Sequence, residues 1–124
     1  MSKLKWICCL QQSQQFIGKQ SEIFQECNSI FYDEYYESLT GIETCCRCGA
    51  TYACYMVVEF TFPRIYFHIP ISPENYKKFS EMEVLLKEDL QMAKENQTIL
   101  IEREQGNQSV WEWNEISEEM WQSM

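Results

Sequence analysis

From residue 52 to residue 71 the chain reads Tyr52-Ala-Cys-Tyr-Met-Val-Val-Glu-Phe-Thr-Phe62-Pro-Arg-Ile-Tyr-Phe-His-Ile-Pro-Ile71, and the period of this stretch decides the fold. Tyr52, Cys54, Met56, Val58, Phe60 and Phe62 recur at every second position. Side chains of a strand alternate between the two faces of a sheet, so these residues share one face. Pro63 interrupts the run, because proline donates no hydrogen bond to a ladder. Beyond it Ile65, Phe67, Ile69 and Ile71 alternate again, with Arg64, Tyr66 and His68 opposite them. Two alternating runs meeting at a proline predict antiparallel neighbours.

Working downstream, Ser72-Pro73-Glu74 is a helix start: a capping hydroxyl, proline at the first position and an acid in the first turn. Tyr76, Phe79, Met82, Leu86, Leu90 and Ala93 form one stripe at helical spacing, which predicts a helix to about Asn96. Thr98–Glu104 and Ser109–Ile116 then read as strands around Gly106-Asn107, a two-residue hairpin signal that pairs Leu100 with Trp113 and Glu102 with Trp111.

Working upstream, Ser21 can cap a helix to about Leu39, since Phe24, Cys27, Phe31, Tyr35 and Leu39 recur every three or four residues. Gly41 follows where a left-handed residue ends helices. Residues 3–10 place Leu4, Trp6, Cys8 and Leu10 on one side and read as a first strand. The expected order is β-α-β-β-α-β-β: a single α+β domain over residues 1–124, with two main helices on an antiparallel sheet of about five strands. The length of 124 residues suits one core, and no repeat or low-complexity linker divides it.

Charge narrows the partner. The formal net charge is -9, with 10 basic against 19 acidic residues. Glu22, Glu26, Asp33, Glu34, Glu37 and Glu43 follow one another with no Lys or Arg between, and Glu102, Glu104, Glu112, Glu115, Glu118 and Glu119 are relieved by Arg103 alone. Such a balance argues against direct nucleic-acid binding and against an anionic membrane surface. It suits a basic protein partner, which the acids would steer on approach. Tyr32, Tyr36, Trp111 and Trp113 lie among these acids, and Tyr and Trp are enriched at interface hot spots. The expected partner-binding set is therefore Glu22, Glu26, Tyr32, Asp33, Tyr36, Glu37, Trp111 and Trp113, with the helix from Ser21 outweighing the C-terminal stretch from Ser117, which is expected to fray.

Cysteine offers the competing reading. Of 7 cysteines, Cys45-Cys46-Arg47-Cys48-Gly49 holds a Cys-x-x-Cys-Gly half-knuckle that can wrap two thiolates onto zinc. No second Cys-x-x-Cys follows. Cys8 and Cys9 are adjacent, and neighbours on a strand point to opposite faces. No metal ligand and no cofactor is assigned on that ground, and a zinc-stabilised adaptor or regulatory module built on Cys45 and Cys48 stands as the alternative. The odd count and the lack of a signal-peptide pattern or a long apolar run predict a cytoplasmic protein with mostly free thiols.

No catalytic residue is assigned. His68, the single histidine, reads as a half-exposed structural residue on a sheet face, and the carboxylates read as solvated. No phosphate loop, serine elbow or His-Glu-x-x-His occurs. In size and charge the chain resembles small acidic domains that neutralise basic enzymes, among them immunity proteins of bacterial toxins and phage anti-defence proteins. That resemblance implies a non-enzymatic inhibitor of a nucleic-acid-acting enzyme.

Overall fold

The computed structural model describes residues 8–33, 38–57, 65–93 and 98–123, with the backbone alone for 26–33, 38, 39, 57, 122 and 123. Seven strands among these residues form one antiparallel sheet: β1 (Gln15–Gly18), β2 (Phe24–Asp33), β3 (Ser38–Cys45), β4 (Thr51–Val57), β5 (Ile65–Pro70), β6 (Thr98–Gln105) and β7 (Gln108–Glu115). The order across the sheet is β1-β7-β6-β5-β4-β3-β2. Four helices accompany it, α1 (Gln20–Ile23), α2 (Pro73–Ser80), α3 (Lys87–Ala93) and α4 (Glu118–Ser123), with a 3₁₀ turn at Cys9–Gln12. No helix of the described residues is long and apolar enough to cross a membrane.

The α+β class and the antiparallel sheet agree with the sequence reading, whereas the sheet is larger than about five strands. The two alternating runs are β4 and β5, paired antiparallel with Tyr52 opposite Pro70 and Cys54 opposite His68. The hairpin registers as its turn dictates, Leu100 facing Trp113 and Glu102 facing Trp111, with Gly106 at φ 64. That left-handed angle is why glycine stands there.

The helix expected over Ser21–Leu39 is the main correction. One helical turn, α1, gives way at Phe24 to ten residues of strand. Phe24 packs edge-on to Tyr52 at 4.8 Å and is 3% exposed, and Ile30-Phe31-Tyr32 is a β-favouring run that continues the strand. The ladder with β3 shifts register between Glu26 and Ile30. Gly41 lies within β3, opposite Ile30 and Cys54, and caps nothing.

Two smaller differences follow from local hydrogen bonds. The capped helix starts as expected, Ser72 Oγ accepting from the Asn75 N–H at 3.1 Å. It ends at Ser80, where the Ser80 hydroxyl donates to the Lys77 carbonyl and the N–H groups of Glu81 and Met82 bond back three residues. A second helix begins where the Asp89 carboxylate accepts from the Leu86 N–H. The break rotates the stripe, so Leu85 enters the core and Leu86 is 41% exposed. At the N-terminus residues 3–7 of the expected first strand lie outside the described residues, and residues 9–12 are a 3₁₀ turn.

The sheet separates two cores. On the outer face Ile42, Ala53, Tyr55, Ile69, Ile71, Ile99 and Ile101 meet Phe79 of α2, Leu90 and Ala93 of α3 and Trp121 of α4. On the inner face Phe24, Cys45, Tyr52, Leu100, Trp111 and Trp113 are covered by Cys8, Leu10 and Ile23. Each large side chain buried here contributes on the order of 2 kcal/mol through removal of apolar surface from water.

Candidate functional site

The inner face carries the polar chemistry of the molecule. Strand alternation that sends Phe67 and Ile69 outward sends His68 inward, where it is 0% exposed. β6, paired with β5, brings Glu102, and β3, on the far side of β4, brings Glu43, 1% and 2% exposed. His68 Nδ1 bonds to Glu43 Oε1, and His68 Nε2 to Glu102 Oε1 at 2.7 Å. With a carboxylate at each ring nitrogen, both nitrogens donate only if the ring is an imidazolium; a neutral ring would set a lone pair against a carboxylate. Burial alone pushes the His68 pKa down, but the charge of Glu43, the Cys54 thiol and the hydrogen bond from Glu102 outweigh it and hold it well above 6.5. Phe24 and Trp111, themselves in contact at 5.6 Å, pack against the ring with centroids at 4.8 and 4.9 Å, aromatic contacts that favour a cation.

Glu102 is the hub. It accepts from Gln20 Nε2 at 2.9 Å and from the Ser109 hydroxyl at 2.6 Å, besides His68. Lys19, Gln20, Ser21, Glu104, Asn107 and Ser109 surround Glu102 in a shallow hollow of about 380 Å³. The cluster is a sealed, charge-paired interior network, and His68 has no free nitrogen to offer a substrate. The sequence reading of His68 as half-exposed is corrected: β3 and β6 close over it with partners 25 and 34 residues away. Glu43 and Glu102, read as solvated, are the two buried acids among the described residues.

A second constellation lies at the end of β3. The ligand atoms of Cys8, Cys9, Cys45 and Cys48 all lie within 4.8 Å of one another. Cys9 Sγ is 3.6 Å from Cys45 Sγ, and Cys48 Sγ is 3.6 Å from Cys8 Sγ. The objection that adjacent cysteines point to opposite faces fails here. Cys8 is the extended residue before a 3₁₀ turn and Cys9 is the turn's first residue, so the chain bends between them. Burial raises the Cys8 thiol to about 12 and Cys9 to about 11. For Cys48 burial acts in the same direction, but hydrogen bonds from the backbone N–H groups of Cys9 and Ala50 win and bring it to about 7. Glu43, Cys54 and His68 form another group with metal-ligand chemistry. There both ring nitrogens of His68 are already engaged by carboxylates, and burial raises the Cys54 thiol to about 11.

No protein-family model, no curated protein and no solved structure matches this chain. The reading of its function therefore rests on its own residues.

The residues expected to bind a partner are dispersed. Glu22 is exposed in α1. The backbones of Glu26, Tyr32 and Asp33 belong to β2, at the edge of the sheet, while their side chains lie outside the described residues, as do Tyr36 and Glu37 altogether. Trp111 and Trp113 are interior residues at 0% and 5% exposure. Their indole N–H groups donate to the carbonyls of Gly18 and Leu10, so they fasten the N-terminal segment and present no anchor to a partner.

The C-terminal stretch, expected to fray, is α4. Trp121 is 0% exposed against Tyr55, the Met120 N–H donates to Ser117 Oγ, and Gln91 of α3 donates to Glu118 at 2.8 Å. Lys87 Nζ lies over the rings of Tyr55 and Trp121 at 5.6 and 5.4 Å. These contacts fix α3 and α4 as one layer. Met92 of α3, Met120 of α4 and, in the segment that leads into α3, Val84 and Leu86 are exposed, as are Glu83, Glu88, Glu118 and Glu119. Sequence reasoning missed this surface because the stripe assigned Leu86 to the core.

Proposed function

We propose that this chain is a binding module that docks on a basic protein partner and inhibits it, in the manner of an immunity or anti-defence protein covering the nucleic-acid cleft of an enzyme. The observation that carries the reading is the α3–α4 layer. Among the described residues, four of the six exposed large hydrophobics, Val84, Leu86, Met92 and Met120, belong to these two helices or to the segment that leads into α3, as do four exposed glutamates. Apolar side chains amid acids suit a partner whose own surface is apolar at the centre and basic around it. Carboxylates would take the place of phosphates, and methionine adapts its shape to the contact. The net charge of -9 supports the same partner.

The test uses the folded chain as bait in a lysate of its own source, beside Met92→Asp and the double variant Glu118→Lys, Glu119→Lys. A basic protein held by the wild type and released by both variants is the expected result. That protein, purified, should lose its nucleic-acid activity when the chain is added in equal amount. Its association rate should fall steeply with salt, because exposed charges are screened over about 8–10 Å at moderate ionic strength. Capture of an acidic protein, equal retention by the variants, or full activity at saturation would each overturn the reading.

A further inference from the structure

We propose that Cys8, Cys9, Cys45 and Cys48 hold one zinc ion, which fastens the N-terminal segment across the inner face of the sheet. The argument begins with distances. Zinc bound to thiolate at about 2.3 Å in a tetrahedron separates its sulfurs by about 3.8 Å. The contacts of 3.6 Å, Cys9 with Cys45 and Cys8 with Cys48, share no atom, so they correspond to two opposite edges of such a tetrahedron. The remaining four pairs stay within 4.8 Å. A disulfide would need sulfurs about 2.05 Å apart.

The backbone is shaped for the same purpose. Between β3 and β4 the chain turns through Cys46–Cys48 and Gly49, which takes φ 77, a left-handed angle that favours glycine. The Gly49 N–H donates to the Cys45 carbonyl at 2.9 Å, and the Cys45 N–H to the Ala50 carbonyl at 2.9 Å. This tight turn aims the sulfurs of Cys45 and Cys48 at one point. Donors then converge on the cluster from outside it. The backbone N–H groups of Cys9 and Ala50 favour the charged form of the Cys48 sulfur. Tyr52, 0% exposed, faces the Cys8 sulfur, and among the described residues its buried hydroxyl has no conventional hydrogen-bond partner. A thiol is a weak acceptor for such groups; a metal-bound thiolate is a good one.

Binding exchanges protons for metal. Four cysteine sulfurs form bonds to the ion, their thiol protons pass to water, and no electrons move, so no oxidant or reductant is required. A four-thiolate set selects zinc or iron among common metals, and zinc needs no redox partner. With all four positions filled by protein the site is structural. Its mechanical sense is clear from what it joins: a segment whose regular structure is one 3₁₀ turn and a short edge strand is tied to the rigid β3–β4 turn, 36 to 40 residues away. The inference stands apart from the identity of any partner on the α3–α4 layer.

The experiment is metal analysis of the full chain, purified under reducing conditions without chelator, by mass spectrometry and by elemental analysis for zinc and iron. About one zinc per chain is expected. Cys48→Ser removes a ligand from an exposed position and should lose the zinc, whereas Cys46→Ser, in the same turn with its sulfur outside the cluster, should keep it. Should Cys48→Ser fail to fold, cobalt substitution of the wild type decides the matter: the visible band of tetrahedral cobalt and an intense sulfur-to-cobalt charge-transfer band are expected. A folded chain without zinc and without those bands overturns the proposal. So does stoichiometric iron, a Cys9–Cys45 disulfide in the freshly purified protein, or equal zinc loss in Cys46→Ser.

Discussion

His68 and Ile69 are neighbours on β5, both 0% exposed, and they hold opposite faces of one sheet by opposite means. Ile69 belongs to an outer core of aliphatic and aromatic side chains closed by three helices. Its contacts are non-directional, and their strength follows the apolar area taken from water. His68 belongs to an inner core whose centre is ionic, clamped between Glu43 and Glu102 and packed against Phe24 and Trp111. That arrangement tolerates no missing member, because a buried charge without its partner costs several kcal/mol. The helical layer can give locally and survive, whereas the inner face is all or nothing.

The sharpest way to break this contrast is His68→Leu, which keeps volume and deletes the cation. Glu43 and Glu102 would then be two buried like charges, and the loss should be about 3–5 kcal/mol in urea unfolding. A loss below about 1 kcal/mol would mean that the inner face is held by its aromatics alone.

Next in size is the response to pH. The folded pKa of His68 lies well above its unfolded value of 6.5, so the folded state binds the extra proton between the two. Stability from this source is complete below about pH 6.5 and declines as pH rises through the folded pKa, by about 1.4 kcal/mol per unit within the window. Because cysteines titrate at alkaline pH, the measurement is the difference between wild type and His68→Gln from pH 6 to 8. The difference should shrink with rising pH; a constant difference would mean that His68 is neutral in the fold.

The smallest effect belongs to the outer face. Ile69→Val removes one methylene from a site lined by aliphatics and should cost about 1 kcal/mol, with no dependence on pH. An effect as large as that of His68→Leu would erase the distinction between the faces.

What was legible in the sequence follows the same division. Outer-face strands alternate cleanly, so β4, β5 and the Gly106-Asn107 hairpin register as their period and turn chemistry dictate. Ser72 caps its helix because the signal is local. The inner face was opaque because its partners are distant in sequence. Nothing near His68 announces Glu43 or Glu102, and nothing near Cys45 announces that Cys8 and Cys9 arrive together on a bend. The stretch from Phe24 reads as helix because its apolar residues recur every three or four positions, but packing on Tyr52 and Trp111 overrides that local pattern. The adjacent pair Cys8-Cys9 was the one available hint, discounted on the assumption of a strand.

The pairing of β1 with β7 has a consequence for the order of assembly. Trp113, whose indole holds the Leu10 carbonyl, lies 103 residues further along the chain. During synthesis the segment that covers the inner face leaves the ribosome well before β7, and its docking site does not exist until β7 has emerged. The cover is therefore laid last, and until then Phe24, Tyr52 and the thiols of residues 8, 9, 45 and 48 face solvent together. Such long-range closure is slow and leaves apolar surface open to wrong contacts. The nascent chain is thus most vulnerable to aggregation and oxidation in the interval between completing β5 and completing β7.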